Sequence, residues 1–544
     1  MPVLNFKGKN AVWNHHLSVP YQSLVKDEKL SLKGIGSEEN LIIEGDNLIA
    51  LKSLLPRYHG RIRCIYIDPP YNLGSEWVYN DQVNSPLIRE WIKKTVGADD
   101  LTKHDKWLCM MAPRLKLLQE LLDDKGAIFI SVDNTELYNL ISLMNEIFLP
   151  ENFVGVLIWR KKQGGGQSDA YFVTEHEYVV VYKKSEQFKW LDEVIPQDNT
   201  SFNKKDKDGE YKAVKLAKWG VGARKEDRPT MCFPISAPDG KKVYAIAPDG
   251  SEGRWRIGKK RMDELIENSL ITWIKDDKGR WIPYEKIYFN GEEVKVIKER
   301  SILFDLAFTG DGTKELLELF GVKDIFDNPK PSELIKYLIT YTTEEDSIVL
   351  DSFAGSGTTG HAVLRLNKED KKSKRKFILI QLPEEIQKDK SAYKAGYRFI
   401  HEITRERVKR AIRKDKFNEG FSYMRLGSKI DADSILSGSL PSYKEFAKYI
   451  YYLATGKIMS NDKSIREKDF FVGSSSGESI YLIYEKDKKK LKTLAVTLGW
   501  VEDINKKDKN KKLVYAPACF LDEEHLEKFN ISYVSIPYNI FEKK

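Results

Sequence analysis

The chain has 544 residues, 41% of them hydrophobic and 11% aromatic, which suits roughly three or four domains of about 150 residues each. Its formal net charge is +8, from 89 basic and 81 acidic residues, a mild excess that permits a nucleic-acid partner without demanding one. Four dispersed cysteines (Cys64, Cys109, Cys232, Cys519) form no CxxC pair, which argues against a cysteine metal site or a disulfide framework, and no run of 18 apolar residues suggests a membrane span.

The N-terminal stretch MPVLNFKGKNAVWNHH lacks the apolar core of a leader, so the expectation is a soluble protein of the reducing cytosol, with no membrane partner. From residue 40, strand-like and helix-like segments alternate. NLIIEG (40–45) is a short apolar run, and DNLIALKSLL (46–55) has helical spacing. RCIYID (63–68) predicts a strand and residues 105–124 a strong amphipathic helix. GAIFISVD (126–133) and EYVVVYKK (177–184) predict further strands. Such alternation predicts an α/β domain with a mainly parallel sheet.

Near residue 190 the segments become short, polar and rich in turns. APDG occurs at 237–240 and again at 247–250, each copy a turn signal, and Trp219, Trp255, Trp273 and Trp281 lie among lysines and arginines. A separate β-rich module is predicted over about 190–326. The α/β pattern returns at 331–412, with a helix in PSELIKYLITYTT, a strand in SIVLDSF, a Gly-rich turn into a helix, and a strand in KFILIQL. Residues 413–544 are less regular and carry the lysine-rich runs EKDKKKLK and NKKDKNKK.

Two motifs carry chemistry. LDSFAGSGTTGHAV (350–363) sets Gly355-x-Gly357-x-x-Gly360 between a strand and a helix. Small residues there let a cofactor approach the backbone, and a helix N-terminus attracts an anionic group. No lysine follows the last glycine, so this is not a P-loop. A nicotinamide enzyme calls for an acid at the end of the next strand, where Gln381 stands, with Glu384 and Glu385 close behind. Asp351 before the loop could hold an amino group, and Ser356, Thr358 and Thr359 a carboxylate. S-adenosylmethionine (SAM) carries both groups. A Rossmann oxidoreductase is the alternative that the glycine spacing alone leaves open.

The second motif is IYIDPPYN (65–72). The exocyclic N6 of adenine is a poor nucleophile, because its lone pair is delocalised into the ring. Acceptors aimed at its hydrogens would help localise that pair in the transition state. Asp68 offers a carboxylate and Pro69 a carbonyl. Pro69 and Pro70 stiffen the frame and present no N–H donors. Tyr71 offers a face on which a flipped base can stack, worth about 1–3 kcal/mol.

On these motifs, and on their order, the sequence resembles the β-class adenine-N6 DNA methyltransferases, most closely the modification (Mod) subunits of type III restriction-modification systems. EGDNLIALKSLL (44–55), GAIFISVDNTE (126–136), FDNPKPSELIKYLI (326–339) and KFILIQLPEE (376–385) extend the resemblance over about 35–185 and 320–412. It implies a SAM-methyltransferase Rossmann-like sheet, split by an inserted target-recognition domain, with a C-terminal α/β region. The expected boundaries are 1–189 and 327–412 for the two methyltransferase halves, 190–326 for recognition, and 413–544 for dimer or partner docking.

The resemblance implies a catalytic set of Asp68, Pro69, Pro70 and Tyr71. It implies a SAM site formed by Phe353, Ala354, Gly355, Ser356, Gly357 and Thr358 at the methionine end, with Asp351 before them. Asn328, Lys330 and Pro331 should line the same pocket, and Asp46 should reach the cofactor's adenine. Gln381 departs from the acid that usually holds the ribose, and Glu384 is the substitute to test. Arg224, Lys225 and Arg228 are candidates for base edges, Gly164–Gly166 for a loop closing over DNA. His176 beside that loop reads as structural. The implied partners are double-stranded DNA, a second copy of the chain, and a helicase-nuclease restriction subunit; no metal is expected. A solitary adenine methyltransferase and a cytosine-N4 methyltransferase are the alternatives, the Asp at the head of the motif favouring adenine.

Overall fold

A computed structural model describes residues 3–72, 102–164, 171, 173–191, 193–196, 201–289, 294–370, 372–430, 441–455, 457, 459 and 462–536. Contacts divide the chain into two compact units, Met1–Leu191 with Arg300–Lys544, and Asp192–Glu299. The strand at Ile302–Leu303 and the helix Thr309–Phe320 therefore pack with the larger unit, although the sequence pattern groups them with the insert.

The larger unit is built on one ten-stranded sheet. Its strands are β1 (Tyr21–Lys26), β2 (Leu41–Glu44), β3 (Ile62–Ile67), β4 (Leu122–Val132), β5 (Phe153–Arg160), β6 (His176–Lys183), β7 (Ile302–Leu303), β8 (Ile348–Asp351), β9 (Lys376–Gln381) and β10 (Ser422–Ile430). They lie in the order β1-β10-β2-β9-β8-β3-β4-β6-β5-β7. The run from β10 to β4 is parallel throughout, while β1, β6 and β5 pair antiparallel. The parallel strands are nearly continuous apolar runs because both faces of the sheet are covered. Ile65, Ile67, Ile128 and Ile130 pack into one core, and Cys64, Tyr66, Val349 and Phe377 into another.

The order reverses between β8 and β3. From β8 the chain moves to β9 on one side; from β3 it moves to β4 on the other. Open α/β sheets bind ligands outside the carboxyl ends of strands at such a point. Here Val349 pairs with Cys64 and Leu350 with Ile65. The turns after Ile67 and after Asp351 thus leave the sheet side by side.

Helices α1 (Asn47–Tyr58), α2 (Lys103–Leu121), α3 (Leu137–Phe148), α4 (Thr309–Phe320), α5 (Ser332–Thr340), α6 (Thr358–Glu369) and α7 (Ile400–Lys414) are the ones the site uses. Toward the C-terminus, Tyr443–Thr455 packs on a four-stranded sheet of Phe471–Ser475, Glu478–Leu482, Lys511–Ala516 and Ile531–Ser535. Tyr449 of that helix stacks on Tyr21, ring centroids 4.3 Å apart.

The smaller unit carries an antiparallel sheet of Ile271–Lys275, Trp281–Tyr288, Gly209–Lys215 and Lys204–Asp206. Both APDG segments are turns, with Gly240 N–H on Ala237 O and Gly250 N–H on Ala247 O, 2.9 Å each. Trp255 is fully buried in this unit's core, whereas Trp219 is largely exposed. Among the described residues, no helix is long and apolar enough to cross a membrane, and no side-chain cluster could hold a metal ion.

Candidate active site

Strand β3 ends on Ile67, and Asp68 opens the turn beyond it. The turn is clamped at both ends. Trp107 of α2, fully buried, donates its indole N–H to Pro70 O at 2.7 Å. Asn72 takes a left-handed φ of 62°, which Asn tolerates better than most residues, and its amide donates to the buried Glu136 at 2.6 Å. His104 Nδ1 lies 2.7 Å from the same carboxylate. Two prolines and these two clamps hold Asp68 in one orientation.

Asp68 sits in a cluster of charges. The Tyr71 hydroxyl donates to its Oδ1 at 2.7 Å, and Lys330 Nζ reaches Oδ1 and Oδ2 at 3.0 and 2.9 Å. Lys330 also donates to the Tyr71 oxygen at 2.8 Å. Burial opposes the Lys330 charge, yet Asp68 and Glu177 together hold its ammonium above the ordinary value. Burial likewise drives the Tyr71 phenol well up, and Asp68 adds to it, so Tyr71 stays a hydrogen-bond donor.

The glycine loop follows β8. Gly355 and Gly357 take φ of 51° and 85°. A β-carbon on Gly357 would lie 2.8 Å from Thr404 O of α7, and one on Gly360 would lie 2.9 Å from Leu379 Cδ1 of β9. The first two glycines thus make the tight turn, and the third lets α6 approach the sheet. Behind the loop, Arg407 of α7 donates through Nη1 to Ser356 Oγ and Thr358 Oγ1 at 2.7 Å each, and through Nη2 to Glu315 Oε2 at 2.8 Å.

The structure brings the predicted residues together unevenly. Lys330 joins the two motifs: its ammonium holds Asp68, 262 residues away, and its carbonyl accepts from Thr358 Oγ1 at 3.2 Å. Pro331 is buried at the start of α5; Asn328 is exposed with a φ of 49°. Asp351 lies beneath the loop, its Oδ1 accepting from Phe353 N–H at 3.0 Å and its Oδ2 from Thr359 Oγ1 at 2.6 Å. Gln381 turns to the loop and accepts from Gly355 N–H at 2.7 Å, so its amide braces the backbone. Ala354 is buried and Phe353 half-buried, while Glu384 is exposed.

Asp46 caps α1, accepting from Leu48 N–H at 2.8 Å, and the neighbouring Asn47 donates to Ser352 O at 2.9 Å. In the smaller unit, Arg224 pairs with Asp249 at 2.7 Å and Lys225 with Glu252 at 2.6 Å, all exposed. His176 Nε2 lies 2.9 Å from Tyr178 OH. Gly165 and Gly166 lie outside the described residues.

Motif reading missed several residues of this site. Glu177 of β6 and Lys161 contact the Asp68 cluster; Arg407 and Glu315 support the loop. Two signals were available. Glu177 is an acid directly before the run Tyr178–Tyr182, and Arg407 falls on the buried face of α7 with Ile403, Thr404 and Ala411.

Asp351 leads to a pH prediction. Burial pushes its carboxyl up to about 7, against the bonds from Thr359 and Phe353. The folded value lies above the unfolded one. Its contribution is therefore fully present below about pH 4 and is lost as the pH rises through about 7, at about 1.4 kcal/mol per tenfold difference in proton affinity. Asp351→Asn cannot ionise. Thermal melts of both proteins should show the stability difference moving in favour of the variant between about pH 5 and about pH 7.5; parallel curves would contradict this assignment.

A mainly parallel α/β sheet with an acidic turn and a glycine-rich turn side by side at its reversal point defines the class of open α/β folds that bind ligands at such a point. The chain belongs to the DNA methylase family, whose model matches residues 62–394. It is 35% identical over 413 residues to the EcoPI Mod subunit of a type III restriction-modification enzyme from Escherichia phage P1, covering 70% of this chain and 63% of that one. It is 34% identical over 408 residues to the StyLTI Mod subunit of Salmonella typhimurium, covering 72% and 60%. It is 34% identical over 397 residues to the type II methyltransferase M.KpnI of Klebsiella pneumoniae, covering 70% and 90%. The chain thus spans less than two thirds of the length of these two Mod subunits.

Proposed function

We propose that the chain is a site-specific DNA methyltransferase that uses SAM to methylate N6 of adenine, and that it serves as the modification and recognition subunit of a type III restriction-modification system. One observation carries the reading: Lys330 ties Asp68 to the glycine loop, so an amine held by Asp68 and a cofactor held by the loop share one crevice.

The residues present fit SAM. The turn at Gly355 and Gly357 lacks β-carbons where the backbone curls, and α6 starts at Thr358, aiming its N-terminus at a carboxylate. The Ser352 hydroxyl is buried at the base of the loop with no hydrogen-bond partner among the described residues. Phe353, Ala354, Gly355, Ser356, Gly357 and Thr358 would hold the methionine end. Asp46 would reach the adenine, and Gln381 would act through the Gly355 backbone. When bound, SAM supplies an activated methyl group on its sulfonium.

The rest falls to the chain. A base inside a duplex is out of reach, so the target adenine is flipped into the crevice. There the Asp68 carboxylate and the Pro69 carbonyl would accept the N–H bonds of N6 and localise its lone pair toward the methyl donor. The Pro70–Trp107 bond keeps those acceptors from turning away, and Tyr71, anchored through its hydroxyl, offers its ring for stacking. The insert at 192–299 is the reader of sequence; the region after 413 is the docking surface for a second copy or for a helicase-nuclease partner.

Methylation-aware sequencing of DNA from a methylation-deficient host expressing the chain tests this reading. The expected result is N6-methyladenine confined to one short sequence. N4-methylcytosine, or no modification, would overturn it.

A further inference from the structure

The base crevice contains a carboxylate that neither motif supplies. Glu177 is the second residue of β6 and is 8% exposed. Its Oε2 lies 3.2 Å from the Tyr71 hydroxyl oxygen, whose one proton goes to Asp68 at 2.7 Å, and 3.3 Å from Lys330 Nζ. Its Oε1 accepts from Lys161 Nζ at 2.9 Å. Asp68, Glu177 and Lys330 surround one phenol, and Lys161 joins them through Glu177. Burial pushes the Glu177 carboxyl up, but Lys330 and Lys161 outweigh it and hold Glu177 below the usual range.

Both oxygens of Asp68 accept from Lys330. That conflicts with the role of Asp68 as acceptor for an incoming amine. An ammonium has three protons and a carboxylate oxygen has room for more than one donor, so partial sharing is possible in number. It is unfavourable in charge. A cation fixed on Asp68 weakens the carboxylate's hold on the amine, and it repels the positive charge that grows on N6 as the methyl arrives. Lys330 must therefore shift its charge away. It is 9% exposed, so releasing it without a partner would strand a buried ammonium. Glu177 lies 3.3 Å from it, and a shift on the order of 0.5 Å brings the pair to the length of a charge-assisted hydrogen bond.

We propose that Glu177 is a positioning residue for methyl transfer: it takes the Lys330 ammonium when the target amine takes Asp68. The exchange keeps the crevice neutral and moves the cation off the attacking nitrogen's acceptor. It rests on the reading of Asp68 as the amine's acceptor. Glu177→Gln keeps the size but removes the charge that draws Lys330 away. Lys330 then stays on Asp68, and the amine competes with it.

The test compares full-length wild type, Glu177→Gln, Glu177→Asp, Lys330→Met and the double variant. Methyl incorporation from labelled SAM is followed on genomic DNA from a methylation-deficient host, with SAM binding and thermal melts in parallel. The expected result for Glu177→Gln is a fall in kcat of about tenfold or more, with SAM affinity and the KM for DNA within about twofold of wild type. Glu177→Asp recovers part of the rate. In the Lys330→Met background, Glu177→Gln costs little more, because nothing remains to be drawn off.

A wild-type kcat in Glu177→Gln would overturn the proposal. So would a loss of SAM binding that tracks the loss of rate, or losses that multiply in the double variant. If the wild type itself places no methyl group on adenine, the reaction assigned to Asp68 fails, and the role of Glu177 fails with it; adenine methylation by wild type at an undiminished rate in Glu177→Gln sinks the role of Glu177 alone.

Discussion

Asp68→Ala should retain SAM binding and a near-normal melting temperature while methyl incorporation falls by about 10²–10³-fold or more. The Asp68 side chain is 28% exposed, so its loss opens no sealed cavity. Lys330 does not become an orphan either, because the Tyr71 oxygen stays 2.8 Å away and Glu177 3.3 Å. What disappears is the anionic acceptor for the N6 hydrogens, and removing one preorganised group that stabilises developing charge typically costs about 10²–10³ in rate. Asp68→Asn separates charge from shape. It fits the same space, but half of its amide presents donors to an amine that is itself a donor, and it no longer neutralises Lys330. It should be as slow as the alanine variant. Titration with SAM and single-turnover incorporation on duplex DNA measure both properties; retained methylation in Asp68→Ala would end the assignment of IYIDPPYN to the target base.

The parts of this site that were legible in the sequence are those written as contiguous motifs. Asp68 and Tyr71 share one turn, and the glycines share another. The central strands are largely buried, so each carries a nearly continuous apolar run, and β2, β3, β4, β6, β8 and β9 were all visible for that reason. Strands toward the sheet's margins were not. β1, YQSLVK, and β10, SYMRLGSKI, mix polar and apolar residues because they lie toward the end of the sheet. Strand β5 is mostly half-buried, and β7 has only two residues.

The supporting residues illustrate a different limit. Lys330 was expected along the cofactor pocket, yet its ammonium turns to Asp68 and only its carbonyl meets the glycine loop. Gln381 looked like a missing acid, and it serves as an amide bonded to Gly355 N–H. In both cases the residue's place along the chain was informative and the direction of its side chain was not. Direction is set by which partner desolvation makes necessary, and the partner comes from a distant element. Glu177, Lys161, Arg407 and Glu315 come from four separate segments, with no shared spacing to betray them.

Arg407 shows how much can depend on such a residue. Its side chain is 0% exposed, and burial lowers its guanidinium to about 10 against the pull of Glu315, so it remains charged at neutral pH. One fork of this group holds the Ser356 and Thr358 hydroxyls and the other holds Glu315. Arg407→Ala empties that space and removes three hydrogen bonds. Glu315 keeps a bond from the Ser332 hydroxyl at 2.7 Å, so it is not stranded. Breaking a buried pair costs about 3–5 kcal/mol when one charge is left unpaired; Glu315 is 21% exposed, keeps the Ser332 contact and lies 3.8 Å from Arg365, which puts the expected loss at or below the lower end. The loop should slacken as well, lowering SAM affinity by about tenfold or more, since small displacements of a positioning loop are strongly felt. Arg407→Lys distinguishes packing from geometry. An ammonium can still pair with Glu315, so most of the stability should return. It lacks the planar fork needed to serve two hydroxyls and a carboxylate together, so SAM affinity should stay low. Thermal melts and SAM titration on the three proteins decide the matter: full SAM affinity in Arg407→Lys would mean that charge alone, not the fork, shapes the cofactor loop.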